Sequence, residues 1–324
     1  MISRRWVEQV ARDSGFRADS VEKVLRLRGI LARLDRHPGA RNAWLLKGGT
    51  ALNLLHLDVP RMSVDIDLDY IGAADREGML AARPGFEAAL VAVCLREGCE
   101  VRRVPDDHAG GKYRLRYTSV FGGSQGLEVD VSYVARVPLL GAVRLPTRFP
   151  GQDIIEVPTL TLVELAAGKF AALLQRHAVR DAFDAVNLLQ ACPGLLDDPG
   201  FRLAFLCTMA GGRGDPRHLA PRDPRPDIRT VEQQLLLMLH QSHSAGSRDA
   251  VALCAQIRQE LAGVAERLMA WSPPERKFLD RLHDEGELDA ASLCADPDVR
   301  DRILIQPMLL WKARHVRGYR RRDS

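Results

Sequence analysis

The chain reads as an α+β protein: a small mixed, twisted sheet flanked by amino-terminal helices and followed by a helical carboxy-terminal half. Three observations predict this. SVDIDLDYI (63–71) and GLEVDVSYV (126–134) alternate apolar and polar residues with the two-residue period of strands. From 159 onward the spacing turns helical. A Gly/Pro/Arg-rich stretch, GGRGDPRHLAPRDPRPDIRT (211–230), cannot continue a helix and has little to bury. With 324 residues, 46% of them hydrophobic, the chain has material for about two domains. The expected division is a sheet-bearing domain over 1–200 and a helical domain over 201–324, with a linker at about 211–230.

The elements follow in order. RRWVEQVARDSG (4–15) is amphipathic, and SVEKVLRLRGILARLDRHPG (20–39) places Val21, Val24, Leu25, Ile30, Leu31 and Leu34 on one helical face before Pro38-Gly39 stops it. AWLLK (43–47) is a short apolar strand, Gly48-Gly49 a tight turn, and TALNLLHL (50–57) a helix opened by a threonine suited to capping. After Pro60, the strand 63–71 carries Val64, Ile66 and Leu68 on one face and Asp65, Asp67 and Asp69 on the other. A helix over 78–97 and strands at 99–104 and 112–121 come next. In 126–134, Leu127, Val129, Val131 and Tyr133 oppose Glu128, Asp130 and Ser132. Helices are expected over 159–179 and 180–192, where Pro193-Gly194 ends them, and then over 231–241, 249–271, 273–286 and 300–317. There is no internal repeat.

Composition excludes some classes. No run of about 18 apolar residues marks a transmembrane helix, and the opening MISRRWVEQVARDSGF turns polar too early for a secretory signal, so a cytoplasmic protein is expected. The six cysteines lack the close pairs of zinc sites or a disulfide framework and read as reduced, mostly buried thiols. A net charge of +4 does not by itself mark a nucleic-acid binder. Arginines concentrate in 211–230 and in the tail WKARHVRGYRRRDS (311–324), which either hold a polyanion or are a solvated linker and fraying tail.

Three aspartates in a β-branched stretch run against strand propensity and repel one another. A divalent metal would offset that repulsion. Asp65 and Asp67 lie about 6.6–7 Å apart along one strand face, near enough to share ions, and Asp130 on a neighbouring strand would add a third hard oxygen donor of the kind Mg²⁺ prefers. In two-metal sites the ions sit about 3.5–4 Å apart, one activating the attacking oxygen and one stabilising the leaving group. Asp69, about 13–14 Å from Asp65, would support the site or face solvent. In KGGT, glycines admit backbone N–H groups to an anion and the helix start adds its positive dipole end. Lys47 and Lys112 are surface cations with no role assigned. HQSH (240–243) has no carboxylate or cysteine at ligand spacing and reads as structural. There is no nucleophile elbow and no Walker lysine pattern.

GGT followed by RMSVDIDLD resembles the nucleotidyltransferase signature of the DNA polymerase β-like superfamily. The narrower form, KGGTAL with R-x-S-x-DIDLD, resembles the AbiEii/AbiGii toxin family that includes the MenT toxins. The similarity continues through ELAAGKFAALLQRHAVRDAFDAVNLL (164–189) and PMLLWKARHV (307–316). The resemblance implies a nucleotidyltransferase sheet in 1–200. It makes Gly48, Gly49 and Thr50 the phosphate-binding turn, with Ser63 a further polar group near the triphosphate. Asp65 and Asp67 become metal ligands, with Asp130 the third by strand context. Lys169 becomes the lysine at the nucleotide phosphates, and RDxxD supplies Arg180, Asp181 and Asp184, either aspartate being the functional acid. Arg61 either binds phosphate or holds the acid strand.

The implied activity is transfer of a nucleoside monophosphate from an NTP, dependent on Mg²⁺ with Mn²⁺ as an alternative, to the 3′ end of tRNA. Aminoacylation and growth would stop, and a cognate antitoxin would restrain the protein. The alternatives are a nucleotidyltransferase acting on a small molecule or a protein hydroxyl, and a non-catalytic nucleotide- or RNA-binding regulator.

Overall fold

The computed structural model describes residues 2–104, 110–149, 154–241 and 247–323. In chain order these form α1 (Arg4–Ser14), α2 (Ala18–Arg36), β1 (Trp44–Lys47), α3 (Gly48–Ala51, continued to His56 as a wider π turn), β2 (Ile66–Tyr70), α4 (Arg76–Arg96), β3 (Glu100–Val104), β4 (Gly110–Thr118), β5 (Ser124–Ser132), β6 (Ala142–Pro146) and β7 (Glu156–Leu160). Helices follow: α5 (Leu162–Arg176), α6 (Val179–Ala191), α7 (Pro199–Gly211), α8 (Ile228–Gln234), α9 (Ser247–Glu260), α10 (Val264–Met269), α11 (Pro273–Asp280), α12 (Pro297–Ile305) and α13 (Pro307–Asp323). The α+β class and the mixed sheet expected from the sequence are present.

Two compact units form. The first comprises Met1–Arg136, Ala142–Leu160 and Ile228–Ala252, the second Val137–Gly141, Thr161–Asp227 and Leu253–Ser324. The main change of unit therefore falls at 160/161, where the Thr161 hydroxyl caps α5 by accepting from Glu164 N, and not near 200. The arginine-rich stretch is also more tightly held than a linker. Arg217 is buried among Asp215, Asp280 and Asp284, at 2.6, 2.8 and 2.7 Å, and the Asp223 carboxylate accepts from Gly263 N and Ala265 N. Arg213, Arg222, Arg225 and Arg229 remain exposed.

The first unit holds a seven-stranded sheet in the order β3-β4-β5-β2-β1-β7-β6. β1 runs antiparallel to β2 and parallel to β7, and β2 runs parallel to β5. One sheet face is apolar: Leu46, Leu68 and Val131 form one register row, Ile66, Val129 and Tyr113 another. All six are buried. Phe86 of α4 seals this face, its ring 5.3 Å from that of Tyr70. α4 is by length and composition apolar enough to cross a bilayer, which the sequence reading did not mark. Here Phe86, Leu90, Val93 and Cys94 bury into the unit, and Arg83 pairs with Glu87 at 2.7 Å.

Two strands escape the sequence reading. β6 and β7 are five residues each, and Pro158 inside β7 removes a ladder donor, so propensity argues against a strand there. Long-range pairing decides it, with the Thr159 hydroxyl donating to Leu46 O at 2.8 Å. All six cysteines are free thiols, with Cys94, Cys99, Cys207 and Cys254 buried. His240 packs its ring against Phe16, 5.7 Å away, a structural setting as expected; His243 lies outside the described residues.

Candidate functional site

In the first unit the glycine turn and the acid strand are in direct contact. Gly48 has φ +69, a left-handed conformation that disfavours any side chain, and a Cβ there would stand 2.2 Å from Asp67 Oδ2. A Cβ on Gly49 would stand 2.7 Å from an Arg61 guanidinium nitrogen and 3.0 Å from Ser63 Oγ. Gly48 is therefore favoured by its backbone conformation, while a side chain at Gly49 would displace Arg61 and Ser63. Asn53 fastens the turn from below, its amide donating to Gly49 O at 2.8 Å.

Thr50 does not cap the helix. It lies inside it, fully buried, and its hydroxyl donates to the Asp65 carbonyl at 2.5 Å while meeting Ser63 Oγ at 3.0 Å. β2 starts at Ile66 and not at Ser63, beside the end of β1 at Lys47, whose register partner is Asp67. Arg61 is buried at 3% exposure and donates to Met62 O at 3.0 Å. Its guanidinium thus lies between the acid segment and Gly49, where both of its expected roles stay open.

On the polar face of the sheet, register aligns one residue from each of four neighbouring strands. Lys47 of β1 faces Asp67 of β2, Asp67 faces Asp130 of β5, and Asp130 faces Lys112 of β4. Two carboxylates are thus bracketed by two lysines. One row further along β2, Asp69 is 3% exposed and takes a 2.5 Å bond from Lys47 Nζ. Burial raises the Asp69 carboxyl above its ordinary value, against the charge and bond of Lys47 and a hydrogen bond from Ser132. Asp69 is accordingly a supporting residue and not a solvent-facing one. Lys112 is likewise engaged, 2.8 Å from Glu128 and 3.6 Å from Asp130. Hydrogen bonding to Glu128 raises its pKa and lowers that of Glu128.

Asp65 and Asp67 are half-buried and Asp130 is about half exposed at 48%. Hard carboxylate oxygens of this kind fit a divalent cation such as Mg²⁺. Among the described residues, no three His, Cys, Asp or Glu side chains converge on a preformed metal position. Of the three carboxylates, Asp67 packs against Gly48 and Asp130 lies 3.6 Å from Lys112.

The second unit gathers the remaining expected residues. α5 and α6 are joined only by His177 and Ala178, so the two helices pack side by side. Asp181 and Asp184, three apart on α6, present one face. Lys169 Nζ of α5 meets both, at 3.0 Å from Asp181 Oδ1 and 2.9 Å from Asp184 Oδ2. The sequence left open which aspartate matters; both touch the lysine. All three are buried, Lys169 at 8%, Asp181 at 2% and Asp184 at 0%. Arg176 binds Asp181 from the other side, 2.5 Å from Oδ2 and 2.9 Å from Oδ1. Burial would raise the Asp181 carboxyl, yet the bond from Arg176 and the charge of Lys169 hold it below its ordinary value. Two cations and two carboxylates balance, which is how this cluster tolerates burial. Arg180 sits exposed on the first turn of α6.

The residue that sequence reasoning passed over is Lys47. Its position directly before the glycine pair was the available signal; its partner could not be read without the register.

Comparisons with known proteins accord with this architecture. The profile of the AbiEii family, described as the nucleotidyl transferase AbiEii toxin of a type IV toxin–antitoxin system, matches residues 29–283. No curated protein matches the chain. Among solved structures, the nucleotidyltransferase toxin MenT4 from Mycobacterium tuberculosis H37Rv is similar with a TM-score of 0.54 at 18% identity, covering 93% of this chain and 98% of that one. JHP933 from Helicobacter pylori aligns at a TM-score of 0.43 and 17% identity, over 78% of this chain and 96% of that one. At such identity the likeness to MenT4 shows a shared fold.

Proposed function

The chain belongs to the AbiEii family of nucleotidyl transferase toxins of type IV toxin–antitoxin systems, and on that premise we propose that it transfers a nucleoside monophosphate from an NTP to the 3′ end of tRNA. The single observation that carries this reading is the packing of Asp67 onto Gly48. It joins a metal-ligand carboxylate to a turn able to accept an anion. An NTP with its cation needs both features in contact.

Asp65 and Asp67, with Asp130 from the adjacent strand, would hold Mg²⁺, or Mn²⁺ in its place. The cation supplies charge stabilisation at the transferring and leaving phosphoryl oxygens. The backbone N–H groups at Gly48 and Gly49 orient the triphosphate, and the Thr50 and Ser63 hydroxyls hold the turn against the acid segment. Lys169 offers a cation for phosphate oxygens, and Asp181 and Asp184 fix its position. Such a transfer depends mostly on positioning and electrostatics. Transfer to tRNA would block aminoacylation and arrest growth in the cytoplasm, and a cognate antitoxin would restrain it. The exposed arginines of 213–229 and Arg314 and Arg317 of α13 suit an RNA backbone.

The test is incubation of purified protein with each α-labelled NTP, Mg²⁺ and total RNA. Label in the tRNA band that disappears in Asp67→Asn supports the reading. Label confined to protein or small molecules moves the acceptor elsewhere, and no label with any NTP overturns the reading.

A further inference from the structure

We infer that Lys47 contacts the β- and γ-phosphates of the bound nucleotide and that the buried Asp69 carboxylate aims it there; this rests on the nucleotidyltransferase reading above. Lys47 is the last residue before the Gly48-Gly49 turn, adjacent in the chain to the backbone donors proposed for the triphosphate. In register it stands opposite Asp67. Paired residues on antiparallel strands lie about 4.5–5.5 Å apart at Cα and project from the same face. A phosphate bound between the glycine turn and Asp67 would therefore fall within reach of a lysine side chain at position 47.

Asp69 explains the aim. Its side chain is 4% exposed whereas that of Lys47 is 30% exposed, so the carboxylate is enclosed by the protein while the lysine side chain keeps part of its surface open to solvent. An ammonium carries three donors, and Asp69 Oδ1 occupies one. A buried ion pair contributes little net stability over an apolar pair of the same size. Stability alone thus gives no reason for a charged pair here, while fixing a cation beside a phosphate site does. Asp69 is a positioning residue in this scheme.

The experiment measures binding of a non-transferable α,β-methylene NTP analogue and of the corresponding NMP, both with Mg²⁺, by calorimetry on the full chain. The variants are Lys47→Met, Lys47→Arg, Asp69→Asn and the double Lys47→Met/Asp69→Asn, in which no carboxylate is left unpaired. Loss of one charge-assisted phosphate contact is expected to weaken the analogue by about tenfold or more in Lys47→Met and in the double variant. NMP affinity should stay within about twofold and Lys47→Arg should recover part of the loss, a phosphate-number dependence that a structural role would not produce. Unchanged analogue affinity in the folded double variant, or an equal fall for NMP, overturns the assignment. If the parent transfers NMP while the double variant binds the analogue normally, only the Lys47 assignment fails; if the parent neither binds nor transfers with any NTP, the nucleotidyltransferase reading fails with it.

Discussion

Asp67 places a carboxylate oxygen 2.2 Å from where a side chain on Gly48 would begin. The turn and the acid strand are therefore one packed object. A side chain added at this turn would have to move the Asp67 carboxylate.

Gly48→Ala tests that coupling. The new methyl must adopt φ +69 and displace the Asp67 carboxylate. The backbone cost is about 1–2 kcal/mol, well short of unfolding most domains, whereas NMP transfer should fall by at least about a hundredfold from misplacement of a ligand. Thermal denaturation and single-turnover labelling, measured together, separate the two effects. A Gly48→Ala protein that labels normally would show that the contact is incidental.

Asp67→Asn removes one of the carboxylates aligned with Asp130. Transfer should be abolished while the fold persists, because the change relieves like-charge repulsion on a half-buried face. The second readout is cation-dependent stabilisation: Mg²⁺ should raise the melting temperature of the parent and not that of the variant. An equal Mg²⁺ shift in both would place the cation elsewhere.

Lys169→Met leaves Asp181 and Asp184 buried without their shared cation. Removing one partner from a buried ion cluster costs about 3–5 kcal/mol, measurable as a lowered urea midpoint. Lys169→Met/Asp184→Asn should recover much of that loss by restoring charge balance. Under the proposed role of Lys169 at the nucleotide phosphates, transfer should remain absent in the double variant even so. Recovery of both together would assign Lys169 a purely structural role.

Acid should weaken the second unit in two windows. Burial lowers the His283 pKa from 6.5 to about 4, and its Nε2 is buried without a hydrogen-bond partner among the described residues. The unfolded chain therefore binds this proton first, and stability falls as pH drops from 6.5 towards 4. Asp215 would be raised by burial, but the bonds from Arg217 bring it from 3.8 to about 2. Its contribution is fully present above 3.8 and is lost as pH falls through about 2. His283→Leu should flatten the upper window and leave the lower one, as followed by urea denaturation at successive pH values. An unchanged slope between pH 6.5 and 4 would refute the assignment to His283.

Much of this molecule was legible from local pattern. Period-two alternation identified the two acid strands, β2 to within three residues and β5 to within two, and the glycine pair marked where β1 ends and α3 begins. Helical spacing gave α2, α4, α5 and α6, with Pro38-Gly39 and Pro193-Gly194 as stop signals. These signals are local, since side-chain periodicity and glycine conformation act over a few residues. β6 and β7 were missed because short strands interrupted by proline draw their stability from partners distant in sequence.

The sequence by itself determined which residue types were present and which face of each strand carried its acids. It could not determine register, because sliding two alternating strands by two residues preserves every face and changes every partner. Tertiary structure alone decided that Lys47, Asp67, Asp130 and Lys112 form one row, that Asp69 lies beneath Lys47, and that Lys169 touches Asp181 and Asp184 together. Each relation is a charge pairing across separate elements, and its distance is set by how those elements pack.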